Sequence, residues 1–107
     1  MFTRVVEVNT KTGKAREVCG VIRDKVLPIL KNQNGFVDEI TLVSTSNPNR
    51  VLALSFWKTK EDAEKYHREV FPRLVAPVQH LFEGPPTVRS FDVEASETFR
   101  IAPGKAA

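Results

Sequence analysis

From Phe2 to Val8 the chain reads F-T-R-V-V-E-V, β-branched and partly alternating, which predicts a strand ending at the turn-forming run Asn9-Thr10-Lys11-Thr12-Gly13. Beyond Lys14 the period changes. Ala15, Val18, Ile22, Val26 and Ile29/Leu30 recur at three- and four-residue steps, the stripe of an amphipathic helix running to about Asn32. Pro28 falls inside it, where it removes a backbone hydrogen bond and crowds the carbonyl of Asp24, so a bend is expected before Asn34-Gly35 stops the helix. A second strand is predicted over Phe36 to Ser44, then a hairpin loop at Thr45-Ser46-Asn47-Pro48-Asn49-Arg50. The third strand, Val51 to Trp57, reads V-L-A-L-S-F-W with a single polar side chain, the pattern of a central strand covered on both faces. Thr59 is a good N-cap, Glu61 and Asp62 suit the positive end of a helix dipole, and Ala63, Tyr66, His67, Val70 and Leu74 form the next helical stripe. Pro72 and Pro77 should bend or break that helix, with the segment to Phe82 helical again. Gly84-Pro85-Pro86 ends the region, and Thr87 to Glu94 alternates weakly as a fourth strand.

Strand, helix, strand, strand, helix, strand is the βαββαβ order of an α+β, ferredoxin-like sandwich: a four-stranded antiparallel sheet, strands one and three in the middle, both helices on one face. Two helices cover only one face of such a sheet. An apolar third strand still presents side chains on the other, and the simplest cover is the same face of a second copy, so a homodimer is expected. The domain is predicted to span 1–94. The polar, small-residue segment 95–107 is read as a C-terminal extension that Phe99 and Ile101 anchor onto the domain or a partner chain.

Composition narrows the function classes. A chain of 107 residues has room for one core, and 41% hydrophobic with 27% charged residues is ordinary for a globular domain. No apolar run approaches the ~18 residues needed to cross a bilayer. The N-terminal residues enter a strand pattern at once without a basic segment and long apolar stretch, so a cytoplasmic protein is expected. One cysteine, Cys19, permits no internal disulfide and no multi-thiolate metal site; it sits mid-helix as a small packing residue. The net charge of +3 and pI of about 9.2 would suggest nucleic acid, but Lys and Arg are interleaved with Glu and Asp and form no basic run. No nucleic-acid partner and no membrane partner are expected. No Gly-rich phosphate loop, metal-ligand cluster or nucleophile elbow is present, so no cofactor and no metal are indicated.

Among candidate site residues, His67 stands first. It falls on the buried stripe of the second helix, where an apolar side chain would pack at lower cost, and a group titrating near neutrality could take a phenolic proton there. The competing reading is a histidine satisfied by a backbone carbonyl or water. Trp57, closing the third strand, suits stacking on a ring-shaped substrate or filling core. Tyr66 could hydrogen-bond a substrate or lie exposed; Phe56, Phe71 and Phe82 could line a pocket or merely pack. Arg4 could hold an anion, or pair with Asp92 or Glu7. His80, near a helix end, should face solvent.

Gly13-Lys14, Val26-Leu27-Pro28-Ile29-Leu30 before Asn34-Gly35-Phe36, the block Ser55-Phe56-Trp57-Lys58-Thr59-Lys60-Glu61-Asp62-Ala63, and Tyr66-His67 together resemble the antibiotic biosynthesis monooxygenase family of dimeric α+β barrels, over roughly residues 2 to 94. The resemblance implies two back-to-back sheets forming a dimeric α/β barrel, with a pocket in each protomer between the sheet and its own helices. It also implies a quinol or polyketide phenol as substrate, reacting with oxygen without metal or flavin. Members similar to quinol monooxygenases carry a His at the position of His67. The polyketide-quinone branch has an Asn shortly before the strand-end Trp and a Tyr soon after it, where this chain has Ala53 and Ala63. The haem-degrading branch has Asn, Trp and His where Val5, Tyr66 and about Ala76 stand here. The function expected on this resemblance is a cofactor-independent monooxygenase of a small aromatic or quinol-like molecule. The alternatives are a non-catalytic small-ligand or stress-related binding protein, and an isomerase or lyase of small metabolites, on the same scaffold.

Overall fold

The computed structural model describes residues 1–104. Four strands, β1 (Phe2–Asn9), β2 (Phe36–Val43), β3 (Arg50–Trp57) and β4 (Thr87–Asp92), form one antiparallel sheet in the order β2-β3-β1-β4. The most apolar strand, β3, is central, as its composition requires, with β1 beside it. Between β1 and β2 the chain is helical over α1 (Ala15–Val21), a π-helical turn (Ile22–Val26) and α2 (Leu27–Leu30). Between β3 and β4 come α3 (Lys60–Glu69), α4 (Phe71–Val75) and a 3-10 turn (Gln79–Leu81). This is the ferredoxin-like α+β arrangement.

Proline governs both helical segments. The first is not broken at Pro28. The turn before it widens, the Leu27 N–H bonding to the Ile22 carbonyl, five residues back, and Pro28 enters the first turn of α2, where its missing N–H costs nothing. The second segment breaks at Val70, and Pro72 likewise enters a first turn, that of α4. After Pro77 the expected return to helix amounts only to the 3-10 turn, because the proline interrupts the hydrogen-bond ladder before another α-turn can form. Thr59 caps α3 as expected: its hydroxyl accepts from the Asp62 N–H at 3.1 Å and donates to the Asp62 carboxylate at 3.0 Å.

Register fixes which side chains meet the helices. Phe2, Arg4, Val6 and Val8 of β1 lie opposite Trp57, Ser55, Ala53 and Val51 of β3. On β2 a bulge between Phe36 and Asp38 inserts one residue, so that Phe36 pairs with Trp57 but Glu39 pairs with Ser55. Glu39 and Thr41 thereby join the helix-facing side, and Asp38, Ile40 and Leu42 go to the other. Two apolar clusters fill the helix–sheet interface, one of Phe2, Leu30, Trp57, Ala63 and Tyr66, the other of Val8, Val18, Leu81 and Phe82.

The opposite face of the sheet carries Val5, Leu52, Leu54, Phe56, Ile40, Leu42 and Phe91. No helix covers it. Ile40, Leu42 and Phe91 are 39%, 45% and 51% exposed, so β3 is central but shielded on one side only within a single chain. Part of the C-terminal segment folds back here: the rings of Phe99 and Phe56 lie 5.3 Å apart, and Ser96 and Ile101 close a short bridge. The predicted extension ends in residues 105–107, outside the described residues.

Candidate functional site

A cavity of about 90 Å³, partly open to solvent, lies between the sheet and the helices and is bounded by members of both apolar clusters. Its wall is almost wholly apolar. Val6, Val8 and Ala53 form part of the floor, and Ile22, Val26, Leu74 and Val78 part of the roof. An apolar enclosure with a few converging polar groups is the usual form of a small-molecule site. The polar groups here are Arg4, Glu39, Ser55, Tyr66 and His67.

His67 projects from α3 into this space, its ring stacked on Phe71 with centroids 4.5 Å apart and planes 18° apart. The imidazole makes no hydrogen bond among the described residues, so no backbone carbonyl accounts for a histidine on this stripe. Partial burial lowers its pKa below the ordinary 6.5, and the positive charge of Arg4 lowers it further. The ring is therefore neutral at neutral pH, the form that accepts a proton.

Tyr66, one residue earlier, turns inward and is 8% exposed, stacked at 5.1 Å on Trp57 and edge-on to Phe71 at 6.4 Å. Its phenol lines the cavity. Burial, reinforced by the negative charge of Glu39, raises the phenol pKa and keeps it protonated, so the group is available as a hydrogen-bond donor and not as a base.

Arg4 of β1 lines the cavity, its guanidinium 5.5 Å from the Phe2 ring centroid. The alternative pairings do not form. Glu7 lies on the opposite face, held by Arg50 at 2.8 Å and Arg89 at 3.2 Å, and Asp92 stands in register with Phe2, two positions from Arg4. The Nε of Arg4 is buried without a hydrogen-bond partner.

Two candidates are not brought to this cavity. Trp57 is fully buried, packed between Phe36 and Tyr66, and its indole N–H donates to Ser55 Oγ at 2.8 Å. It builds the wall behind the site and holds Ser55. Phe56, its strand neighbour, points to the opposite face because successive strand residues alternate. Of the other aromatic and histidine candidates, Phe71 and Phe82 line the cavity and His80 is exposed.

Ser55 and Glu39 belong to the site although neither stood out as a candidate. Ser55 is the lone polar residue of V-L-A-L-S-F-W, a signal present in the sequence. Glu39 was hidden by the bulge, without which strand alternation from Phe36 would direct it outward. Burial raises the Glu39 pKa above 4.5 and nearby Asp38 adds to this, while the Thr41 hydroxyl, donating at 2.9 Å, opposes it. Burial and the negative charge of Glu39 raise the thiol pKa of Cys19, on α1, which disfavours the nucleophilic thiolate. Among the described residues no cluster of His, Cys, Asp and Glu could hold a metal ion, and no helix is long and apolar enough to cross a membrane.

Known structures repeat this architecture. A candidate antibiotic biosynthesis monooxygenase from Nitrosomonas europaea aligns over 89% of this chain and 100% of its own, with a TM-score of 0.75 and 18% identity. SnoaB from Streptomyces nogalater, a cofactor-independent oxygenase solved as its N63A mutant, aligns over 90% of this chain and 95% of its own, with a TM-score of 0.75 and 16% identity. A conserved protein from Methanosarcina mazei Go1 aligns over 85% and 91%, with a TM-score of 0.70 and 17% identity. At these identities the likeness speaks for the fold. No curated protein sequence matches the chain. The sequence model of the antibiotic biosynthesis monooxygenase family matches residues 1–70, most of the chain and all of its first three strands. The chain belongs to the antibiotic biosynthesis monooxygenase family.

Proposed function

We propose that this protein is a homodimeric, cofactor-independent monooxygenase of a small aromatic or quinol-like molecule, with His67 as the base that takes the substrate's hydroxyl proton. The observation that carries this reading is an imidazole with no hydrogen-bond partner among the described residues, set in a mostly apolar cavity where burial and Arg4 favour its uncharged form. Such a base is poised for a weak oxygen acid. Deprotonation leaves an electron-rich anion that reduces oxygen. In the full reaction a hydroquinone becomes a hydroxyquinone: one ring C–H becomes C–OH and the two phenol groups become carbonyls, one oxygen atom entering the ring and the other leaving as water. The substrate supplies all four electrons. The positive charge of Arg4 favours the anion, and the apolar wall strengthens that attraction by excluding water. Tyr66 and Phe71 bound the space beside the imidazole.

Size favours a small substrate. The cavity of about 90 Å³ is smaller than the ~150 Å³ that accommodates benzene in an engineered apolar core, so a ring enters with part of it in the opening. Fused-ring polyketides would require the helices to move. The absence of the polyketide-branch residues at Ala53 and Ala63 points the same way.

Oxygen uptake with a panel of substituted hydroquinones, with ¹⁸O₂ incorporation read by mass spectrometry, tests the proposal. His67→Ala should lower kcat by about 100-fold or more. Equal turnover by both proteins would remove His67 from the chemistry. Thermal stabilisation by a panel member without turnover would support the binding-protein alternative.

A further inference from the structure

The cavity contains a polar line of which the oxygenase reading uses only Arg4. Glu39 of β2, Ser55 of β3 and Arg4 of β1 occupy successive register positions and share the helix-facing side. They form a straight row across the middle of an apolar floor. Strands lie about 4.8 Å apart, so the two charged residues are rooted roughly 10 Å from each other with Ser55 between them. They form no ion pair among the described residues.

Arg4 is the costly member. A guanidinium carries five N–H donors and is always charged, and a buried donor left unsatisfied costs stability. Here the Nε is buried without a partner among the described residues, Glu7 being engaged by Arg50 and Arg89 and Asp92 standing in another register. Ser55 is prepared on the same side. Its Oγ already accepts the Trp57 N–H at 2.8 Å, which leaves the hydroxyl proton free to be donated and makes it a stronger donor.

We propose that Arg4 and Ser55 form a seat for a single carboxylate, so that the natural ligand of this cavity is a small ring-bodied organic acid rather than a neutral quinol. This rests on the small-molecule reading of the cavity and adds the charge of its occupant. The guanidinium and the Ser55 hydroxyl hold the carboxylate, and the apolar walls take the ring. A ring hydroxyl then faces either His67 or Glu39. One cation matches one negative charge, which disfavours a phosphate dianion, and an ion without an apolar body would forgo the rest of the site.

Isothermal titration under anaerobic conditions tests the seat separately from any oxidation. At about pH 8, where a lowered histidine is neutral, the wild-type protein should bind benzoate at least about tenfold more tightly than benzamide, its neutral near-isostere. Inorganic phosphate should bind more weakly than benzoate. Arg4→Gln should bring benzoate to parity with benzamide. Ser55→Ala should weaken benzoate by about three- to fivefold and benzamide by less, while His67→Ala should retain the preference. Equal affinity of the wild type for the two probes overturns the proposal. So does a preference that survives Arg4→Gln, or phosphate binding as tight as benzoate. Should Arg4→Gln fail to fold by circular dichroism, the wild-type comparison and Ser55→Ala still decide. A benzoate preference without turnover of any hydroquinone retains the seat and removes the oxygenase; turnover of neutral hydroquinones without a benzoate preference does the reverse.

Discussion

At the scale of single residues, titratable side chains in the cavity pull stability in opposite directions with pH. Glu39 has its folded pKa raised above 4.5, chiefly by burial. The native chain therefore binds that proton more readily than the unfolded chain, and the ionised carboxylate weakens folding as pH rises through the folded value. Glu39→Gln should stabilise the protein at pH 7 by on the order of 0.5 kcal/mol, allowing for solvent screening, and the gain should vanish toward pH 4.5. Denaturant midpoints at several pH values measure this, and a gain independent of pH would exclude the carboxylate charge as its cause. His67 has the contrary sign. Its folded pKa lies below 6.5, so its contribution is intact above that value and is lost as pH falls through the folded one, since the unfolded chain takes the proton first. His67→Gln should flatten that part of the stability profile.

At the scale of elements, joints between helix and strand are more sensitive than helix interiors. Gly35, closing the first crossover, has φ of +77°, and a Cβ there would overlap the Asp62 side chain that Thr59 holds at the start of α3. Gly13 has the same φ of +77° but open space around it. Gly13→Ala should cost about 1 kcal/mol for the left-handed backbone alone. Gly35→Ala should cost about 2–3 kcal/mol, because the overlap is added. Equal losses in thermal unfolding would show that the Asp62 contact is relaxed at no cost. Thr59→Ala removes the cap from the same joint and should cost about 1 kcal/mol.

At the scale of the molecule, one face of the sheet is left without a covering helix. Ile40, Leu42 and Phe91 stand exposed on it, beside Leu52 and Leu54 of the central strand, while Glu7, Arg50 and Arg89 form an ion-paired patch near one end. A face of this composition fits association with a second copy: apolar in the middle, polar at the edge. Light scattering at micromolar concentration should give twice the chain mass, and Ile40→Glu combined with Leu42→Glu should give a folded monomer. A monomeric wild type would sink the dimer and require another cover for this face.

Local chemistry was enough to read the element order, the central place of β3, the cap at Thr59 and the helix end at Asn34-Gly35, because each depends on neighbouring residues in the chain. Three- and four-residue spacing also brought His67 and Tyr66 to the inner side of their helix. The site itself was only half legible. Phe56 and Trp57 are adjacent aromatic residues at a strand end, and their separation to opposite sides of the sheet, with Trp57 sealed from the cavity, follows from strand pairing. Glu39 reaches the cavity because one residue is inserted in β2, a choice made by cross-strand pairing with β3 and invisible along β2 alone. The unpaired state of Arg4 likewise depends on where Glu7 and Asp92 lie, and those positions are set by a sheet that joins residues far apart in sequence. Periodicity thus determined the elements and their buried stripes. Register across strands, a long-range property, decided which polar groups share the enclosed space.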